Sequence, residues 1–235
     1  MRVYKFDEID STNKFLREKE DLQDGDLAIA KIQSAGRGRR GNKWVSEEGA
    51  ALFSFAVKYD TLLPEKEYMK LSLVMGYSLL KTLKEIELLN YKFKWTNDIY
   101  IDDRKLSGIL IERVGDLFII GIGVNINNCK FGEAEDIAIS LKSESGNTYD
   151  VEELIYKIVK NAYEDFYRFV AGKWDEMLKV INQSNYLFGK RIDIVGIGKE
   201  ESGIAGEILE DGMLEVFVGN EIKKYNIGEI HISKK

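Results

Sequence analysis

Six short segments in the first 126 residues are rich in Val, Ile, Phe and Tyr, and their apolar residues alternate with polar ones or cluster over a few positions. Such patterns predict β-strands. The segments are RVYKF at residues 2–6, LAIAKI at 27–32, ALFSFAVKY at 51–59, YKFKW at 91–95, LSGILIERV at 106–114 and LFIIGIGVNI at 117–126. IDDRK at 101–105 and VGDL at 114–117 are typical of hairpin turns, which favours antiparallel neighbours.

Between the predicted strands, apolar residues recur every three or four positions, which predicts helices. One helix is predicted over residues 65–87, just after the only proline, one over 150–170 and one over 174–182. Ser11 or Thr12 is placed to cap a further short helix that starts NKFLREKE. This mixture of elements indicates an α+β domain whose sheet is mixed and mainly antiparallel, with helices flanking it, and not a doubly wound parallel sheet.

The pattern changes after Ser184. Residues 190–232 contain short apolar strands separated by GIGKEESG, EDGM and VGNE, without a helical period. Such a pattern predicts a small β-barrel of about 45 residues. We place the boundary near Leu187, so that residues 1–187 form the main domain and residues 188–235 form the C-terminal one.

Composition and charge narrow the classes of function. The chain has 235 residues, of which 44% are hydrophobic, enough for one sizeable core. Its net charge of -6 has the wrong sign for a protein that binds nucleic acid mainly by displacing counterions, although a local basic site stays open. A single cysteine, a start without signal-peptide features and the lack of a bilayer-length apolar run predict a soluble protein in the reducing cytoplasm, with no membrane partner.

A basic, glycine-rich stretch, QSAGRGRRGNKW, occupies residues 33–44. Its glycines allow the backbone to approach a ligand closely, and Arg37, Arg39 and Arg40 supply planar donors suited to phosphate and carboxylate. The stretch lacks the G-x-x-x-x-G-K-[ST] pattern of a P-loop. Composition alone leaves three interpretations open: a flexible solvent-exposed loop, a phosphate-binding loop and a nucleic-acid-binding patch.

Three further polar clusters lie near the ends of predicted elements. They are DSTN at residues 10–13, TND at 96–98 with Lys105 beyond it, and the asparagines of GIGVNIN at 121–127. Each cluster has an ordinary structural interpretation as a helix cap or turn. Lys105 is harder to explain in that way, because it begins an otherwise apolar strand from which its ammonium can project into a pocket.

In their order along the chain, DSTN, QSAGRGRRGNKW, KWTND, RKLSGIL, GIGVNIN and GEIHI resemble the motifs of biotin protein ligases over residues 4–232. The resemblance implies a class II synthetase-like catalytic domain followed by a small SH3-like β-barrel. It also implies that biotin and ATP form biotinyl-5′-AMP, which passes biotin to a lysine of a carboxylase carrier domain. Many bacterial members carry an N-terminal DNA-binding domain; here the motifs begin at Asp10, which predicts the monofunctional type without DNA as a partner. Related ligases are often homodimers.

The resemblance implies a biotin site made of hydroxyls, amides and cations. Its residues are Ser11, Thr12, Asn13, Gln33, Arg37, Gly38, Arg39 and Lys105. Of these, Arg37, Arg39 and Lys105 are implied to be catalytic, because charge accumulates where the biotin carboxylate attacks the α-phosphate. The nucleotide is implied to contact Arg40, Asn97, Asp98 and Asn125. Mg²⁺ is expected with ATP, and no metal ligand is assigned.

The chain departs from the family pattern at two positions. Thr96 replaces the usual proline of KWPND, and it either loosens this turn or supplies a compensating hydroxyl hydrogen bond. Ser233 stands where related chains often carry an arginine, while the single histidine, His231, is expected to be structural. The sequence leaves two alternative functions open: lipoate or octanoate transfer, and RNA binding through GRGRRG and the β-barrel.

Overall fold

The computed structural model describes residues 1–195, 201–226 and 229–232, and its larger β-sheet has seven strands. They are β1 (Val3–Ile9), β2 (Leu27–Gln33), β3 (Ala51–Lys58), β4 (Tyr91–Lys94), β5 (Asp98–Ile101), β6 (Arg104–Val114) and β7 (Leu117–Val124). Their order across the sheet is β1-β2-β3-β7-β6-β5-β4. β1 and β2 are parallel, and the other neighbouring pairs are antiparallel. The predicted mixed, mainly antiparallel sheet is therefore confirmed.

Each of the six predicted apolar segments overlaps one of these strands, and the two predicted hairpin turns connect β5 to β6 and β6 to β7. β5 was not predicted as a separate strand. It has only four residues and begins with Asp98, directly after the polar turn that ends β4. So short a segment carries too few alternating positions for its period to be recognised.

Helices cover the sheet. Those in the described residues are α1 (Thr12–Arg17), α2 (Leu71–Ile86), α3 (Leu141–Ser145), α4 (Val151–Val170) and α5 (Trp174–Gln183). The helix predicted from residue 65 begins as a 3-10 helix, Glu65–Lys70, in which the Tyr68 hydroxyl bonds the backbone of Asp60; a 3-10 turn is a common helix start. α3 was not predicted because it is only five residues long. None of these helices is long and apolar enough to cross a membrane.

The C-terminal part forms a second, five-stranded antiparallel sheet. Its strands are β8 (Arg191–Val195), β9 (Glu201–Ile208), β10 (Leu214–Val218), β11 (Glu221–Tyr225) and β12 (Glu229–Ile232). The indole N–H groups of Trp95 and Trp174 donate to the carbonyls of Gly212 and Glu210, and buried residues of both sheets belong to one hydrophobic cluster. The predicted small C-terminal β-structure is thus confirmed, while the domain boundary near Leu187 stays a prediction.

α2 packs on the sheet through Gly76, and a Cβ at this position would overlap the Phe93 ring of β4. Phe93 is fully buried. Glycine is normally unfavourable inside a helix because of its backbone entropy. Here the missing side chain lets the helix approach the sheet, so packing outweighs helix propensity.

We expect Gly76→Ala to lower the free energy of unfolding by about 1–3 kcal/mol, the usual effect of an overpacked core. In an exposed helix the same change would stabilise the protein by roughly 1 kcal/mol. Urea denaturation measures the difference. Glu85→Ala, which removes an exposed ion pair with Lys157 from the same helix, is the control and should shift the unfolding free energy by less than about 0.5 kcal/mol. Stabilisation by Gly76→Ala would contradict this account of the packing.

Candidate active site

A cavity lies where the start of α1, the loop at residues 34–44 and strands β3, β5, β6 and β7 meet. Residues that are far apart in the chain line it together. Among the predicted site residues these are Ser11, Thr12, Asn13, Gln33, Arg37, Gly38, Arg39, Asn97, Asp98 and Lys105. The other lining residues include Lys43, Trp44, Phe53, Ser54, Lys94, Thr96, Gly108, Gly121 and Gly123.

One end of the cavity is built from neutral hydrogen-bonding groups. The Thr12 backbone N–H donates to Gln33 Oε1 at 2.8 Å, and Thr12 Oγ1 lies 2.6 Å from Ser54 Oγ. The Ser54 hydroxyl in turn donates to Asn13 Oδ1 at 2.5 Å. Ser11 caps α1 by accepting from the Lys14 N–H at 3.4 Å, which confirms the predicted cap. The chain thus holds five hydroxyl and amide side chains in fixed orientations at one place.

Asp10, the first residue of DSTN, stabilises this corner without lining the cavity. Its carboxylate accepts from Lys14 Nζ at 2.6 Å and from the Ser11 N–H at 2.7 Å. These two hydrogen bonds, the lysine's first, hold the pKa of Asp10 below its ordinary value. The acid therefore stays ionised at the helix N-terminus, where negative charge is favourable.

Two glycines of β7 form the floor of the cavity. A Cβ at Gly121 would overlap the Asn13 amide, and a Cβ at Gly123 would lie 2.5 Å from Trp44 Cε2. The alternation of GIG along the strand puts both glycines on the face that carries Asn13 and Trp44. The small glycines therefore let side chains from other elements pack closely against this face of the strand, and the predicted strand is confirmed.

The opposite end of the cavity is cationic. Lys105 Nζ lies 2.8 Å from Asp98 Oδ1 and 5.6 Å from the centre of the Trp44 ring. The backbone of Lys105 is bonded on both sides to residues 137–139, through Ile137 O at 2.7 Å and the Ile139 N–H at 3.0 Å. The ammonium thus projects from the start of β6 into the cavity, as predicted.

Arg39 reaches the turn between β4 and β5. Its guanidinium donates to the hydroxyl of Thr96 and to Asn97 Oδ1, the latter at 3.2 Å. The peptide bond between Trp95 and Thr96 is cis. Thr96 was expected either to loosen the turn or to supply a hydroxyl hydrogen bond. The bond from Arg39 shows the second, and it connects the turn to the glycine-rich loop.

The glycine-rich loop folds back over the cavity as a narrow hairpin. The Gly38 N–H donates to Asn42 O at 2.7 Å and the Trp44 N–H to Gly36 O at 3.0 Å, with a 3-10 turn, Arg39–Gly41, between them. Gly41 has φ of 80°, a value that favours glycine. The side chain of Arg40 lies outside the described part of the structure, so its implied contact with the nucleotide stays a prediction.

Charge is distributed unevenly over the molecule. Among the described residues that line the cavity, five carry a positive charge and one, Asp98, is acidic. The cations are Arg37, Arg39, Lys43, Lys94 and Lys105. Because the whole chain carries -6, this local excess of cations makes the cavity a site for an anion. No group of three or more His, Cys, Asp or Glu side chains in the described ranges is arranged to hold a metal ion.

The structure does not bring every predicted residue to this cavity. Asn125 is buried outside it, and its Oδ1 accepts from Asn128 Nδ2 at 3.1 Å. Because a turn asparagine can serve the local backbone or a ligand equally well, the sequence could not separate these roles. The contact of Asn125 with a nucleotide stays a prediction, and the side chain of His231 and the whole of Ser233 lie outside the described residues.

Sequence reasoning missed Ser54 and Glu112. Ser54 is the only hydroxyl in the buried strand β3, ALFSFAVK, and a single polar residue in an apolar strand is a usable signal for a site. Glu112 lies at the rim of the cavity, where it binds Arg37 and Asn13. Nothing in ILIERV distinguishes it from an ordinary surface glutamate.

The sequence and the fold both match known proteins. The model of the Biotin/lipoate A/B protein ligase family matches residues 5–127. The chain is 34% identical over 231 residues to the bifunctional ligase/repressor BirA of Salmonella typhimurium, covering 91% of this chain and 71% of that protein. The chain belongs to the biotin/lipoate A/B protein ligase family. This confirms the family expected from the ordered motifs.

Two more members of the family are similar over most of the chain. BirA of Escherichia coli is 32% identical over 230 residues, with 91% of this chain and 71% of that protein covered. The biotin protein ligase of Aquifex aeolicus, solved in complex with biotin and ATP, is 31% identical, has a TM-score of 0.88 and covers 100% of this chain and 99% of that one. The family fold therefore extends through the C-terminal sheet.

Proposed function

We propose that this protein is a biotin protein ligase, which joins biotin to ATP and then transfers the biotinyl group to a lysine of a carboxylase carrier domain. One observation carries the proposal: a single cavity joins a neutral hydrogen-bonding end to a cationic end. Biotin has the matching form, with a neutral ureido ring at one end and a carboxylate at the other. The Aquifex aeolicus relative, which binds biotin and ATP, supports the same assignment.

The neutral end favours biotin over lipoate. A ureido ring offers one carbonyl acceptor and two N–H donors, and the hydroxyls and amides of Thr12, Asn13 and Ser54 can both donate and accept. The dithiolane ring of lipoate has no such groups, so it would use none of the hydrogen-bonding capacity that these side chains keep beyond their bonds to one another. A site built to bond substrate N–H groups discriminates strongly against an analogue that lacks them.

The cationic end supports the first half-reaction. A biotin carboxylate oxygen attacks the α-phosphorus of ATP, the new P–O bond forms, and pyrophosphate leaves with the electron pair of the broken bond. Two anions must approach each other, so preorganised cations supply most of the stabilisation. In our proposal Lys105 and Arg37 bind the reacting oxygens and Arg39 neutralises the phosphate.

The turn after β4 is assigned to the nucleotide. Asn97 is held by its own amide, which donates to Ile109 O at 3.0 Å, and Asp98 is held by Lys105. Arg40 and Asn125 belong to this group through the resemblance alone. Mg²⁺ is expected to enter with ATP as part of the nucleotide substrate. Asp98 is the acidic residue among the described residues that line the cavity, so its carboxylate is the one available near this ion.

In the second half-reaction, the neutral ε-amine of the carrier lysine attacks the biotinyl carbonyl. The amide bond forms, AMP leaves, and the amine loses a proton. Before that step the mixed anhydride must be kept from water, and the glycine-rich loop over the cavity is suited to exclude it. Trp44, which lies between the floor glycines and Lys105, anchors the far end of the loop.

Incubation with biotin, ATP and MgCl₂ should release pyrophosphate and leave biotinyl-5′-AMP bound to the protein. Addition of a carboxylase carrier domain should then yield AMP and a biotinylated lysine, detected by mass spectrometry. Lipoate in place of biotin is the matched substrate control and should release no pyrophosphate. Folded protein that forms no adenylate would refute the proposal. Activation of lipoate at the same rate as biotin would contradict the assignment of biotin as the specific substrate.

The oligomeric state is a separate proposal. We infer from the family resemblance that the ligase forms a homodimer. Analytical ultracentrifugation with and without biotin and ATP measures it, and a monomer under both conditions would contradict the inference without affecting the assigned reaction.

A further inference from the structure

Glu112 lies at the rim of the cavity and has no role in the reaction described above. It follows Gly108 and Leu110 on β6, and residues two apart along a strand share a face. Gly108 and Leu110 both line the cavity. The strand thus carries this carboxylate to the point where the cavity opens, with 20% of its side chain exposed.

Both oxygens of the Glu112 carboxylate are used. Oε1 accepts from Arg37 Nη2 at 2.7 Å and from Arg17 Nη1 at 2.9 Å, and Oε2 accepts from Asn13 Nδ2 at 2.9 Å. Arg37 belongs to the glycine-rich loop, Arg17 to the last turn of α1 and Asn13 to its first. One side chain therefore joins the loop, the helix and the sheet.

Arg37 keeps donors for a further anion. Glu112 engages one nitrogen of its guanidinium, Nη2, so the other N–H groups of this planar cation can bind an anion in the cavity. An isolated exposed ion pair contributes little to stability. Glu112 contributes more than such a pair for two reasons. The sheet already restricts the conformation of its backbone, and its three donors act together as a hydrogen-bond network.

We infer that Glu112 is a positioning residue, which couples the ureido end of the biotin site to the glycine-rich loop. It orients Asn13 through one oxygen and holds Arg37, and with it the loop, over the cavity through the other. A loop that is already placed loses less conformational entropy when biotin binds, which raises affinity. The inference rests on the proposed function only for the identity of the ligand.

The test compares Glu112→Gln, which keeps the shape but removes the charge, with wild type. Calorimetry without ATP should show the Kd for biotin raised about tenfold, within the range of coupling between residues in one network. In the ligand-free protein, trypsin should cleave the loop after its arginines several times faster. Arg37→Gln combined with Glu112→Gln should weaken binding by less than the product of the two single effects, because both changes break the same contact.

Glu65→Gln is the matched control. Glu65 pairs with Arg113 at 2.5 Å. Arg113 directly follows Glu112 on β6, so its side chain lies on the other face of the strand. This variant should keep wild-type binding and loop cleavage. Should Glu112→Gln not fold, as judged by thermal denaturation, Glu112→Asp carries the test with the same expected directions.

Three results would overturn the inference: unchanged biotin binding in the Glu112 variants, unchanged loop cleavage, or fully multiplicative effects in the double variant. A wild-type protein that binds no biotin would instead refute the proposed function. The loop-cleavage arm needs no ligand, so it tests the coupling of Glu112 to the loop even in that case.

Discussion

Replacing Lys105 by alanine is expected to lower the rate of biotinyl-5′-AMP formation by about a hundred- to a thousandfold, the usual effect of removing one preorganised stabilising group. The ammonium lies between Asp98 and the Trp44 ring, on a backbone bonded to residues 137–139. Its position is therefore set before substrates arrive. Single-turnover pyrophosphate release at saturating biotin and ATP measures the rate.

Lys190→Ala is the control for this prediction. Lys190 also pairs with an aspartate, Asp103, at 3.3 Å, but it does not line the cavity. Its removal should leave the adenylation rate unchanged, since the effect depends on the place of the charge and not on net charge. A wild-type rate in a folded Lys105→Ala variant would remove Lys105 from the mechanism.

The second large effect is expected from a single methyl group on the cavity floor. Gly121→Ala places a Cβ where the Asn13 amide lies. Asn13 must then give up its bonds to Ser54 and Glu112 and its orientation toward the ligand. A buried polar group of the ligand that loses its hydrogen-bond partner typically costs about 1–3 kcal/mol of binding energy. Converted at 1.4 kcal/mol per factor of ten, the Kd for biotin should rise by roughly tenfold to a hundredfold. Calorimetry measures the Kd.

Gly206→Ala provides a comparison in the C-terminal sheet. A Cβ there would meet the end of the Glu215 side chain at 2.5 Å, and this flexible carboxylate can turn toward solvent. Biotin affinity should stay at the wild-type value. If Gly121→Ala also binds biotin normally while its fold is intact, the neutral end of the cavity is not the ureido site.

Much of the fold follows from local patterns. Alternation along residues 106–114 and 117–126, with VGDL between them, predicted the β6–β7 hairpin because strand period and turn chemistry act over a few neighbouring residues. The same holds for α4, whose apolar residues repeat over 20 positions. The elements without enough length to show a period, β5 and α3, were the ones that pattern reasoning missed.

The candidate site depended on a different kind of information. The ordered motifs identified Lys105, Gln33 and the glycine-rich loop by type and place in the chain, and no physical argument from spacing alone brought them together. Glu112 illustrates the limit. Its bond to Asn13 spans 99 positions in the sequence, and its neighbours along the strand are ordinary strand residues.

By itself, the sequence determined the α+β class, the strands and helices with a clear period, the family, and a basic loop in an acidic chain. Only the tertiary structure decided which side chains share a cavity. β3 pairs with β7 and not with the next strand in the chain, which places Ser54 beside Thr12 and Asn13 and puts the floor glycines below them. The physical reason is that local patterns specify the period and faces of each element, whereas contacts between distant elements depend on the order in which the strands pair.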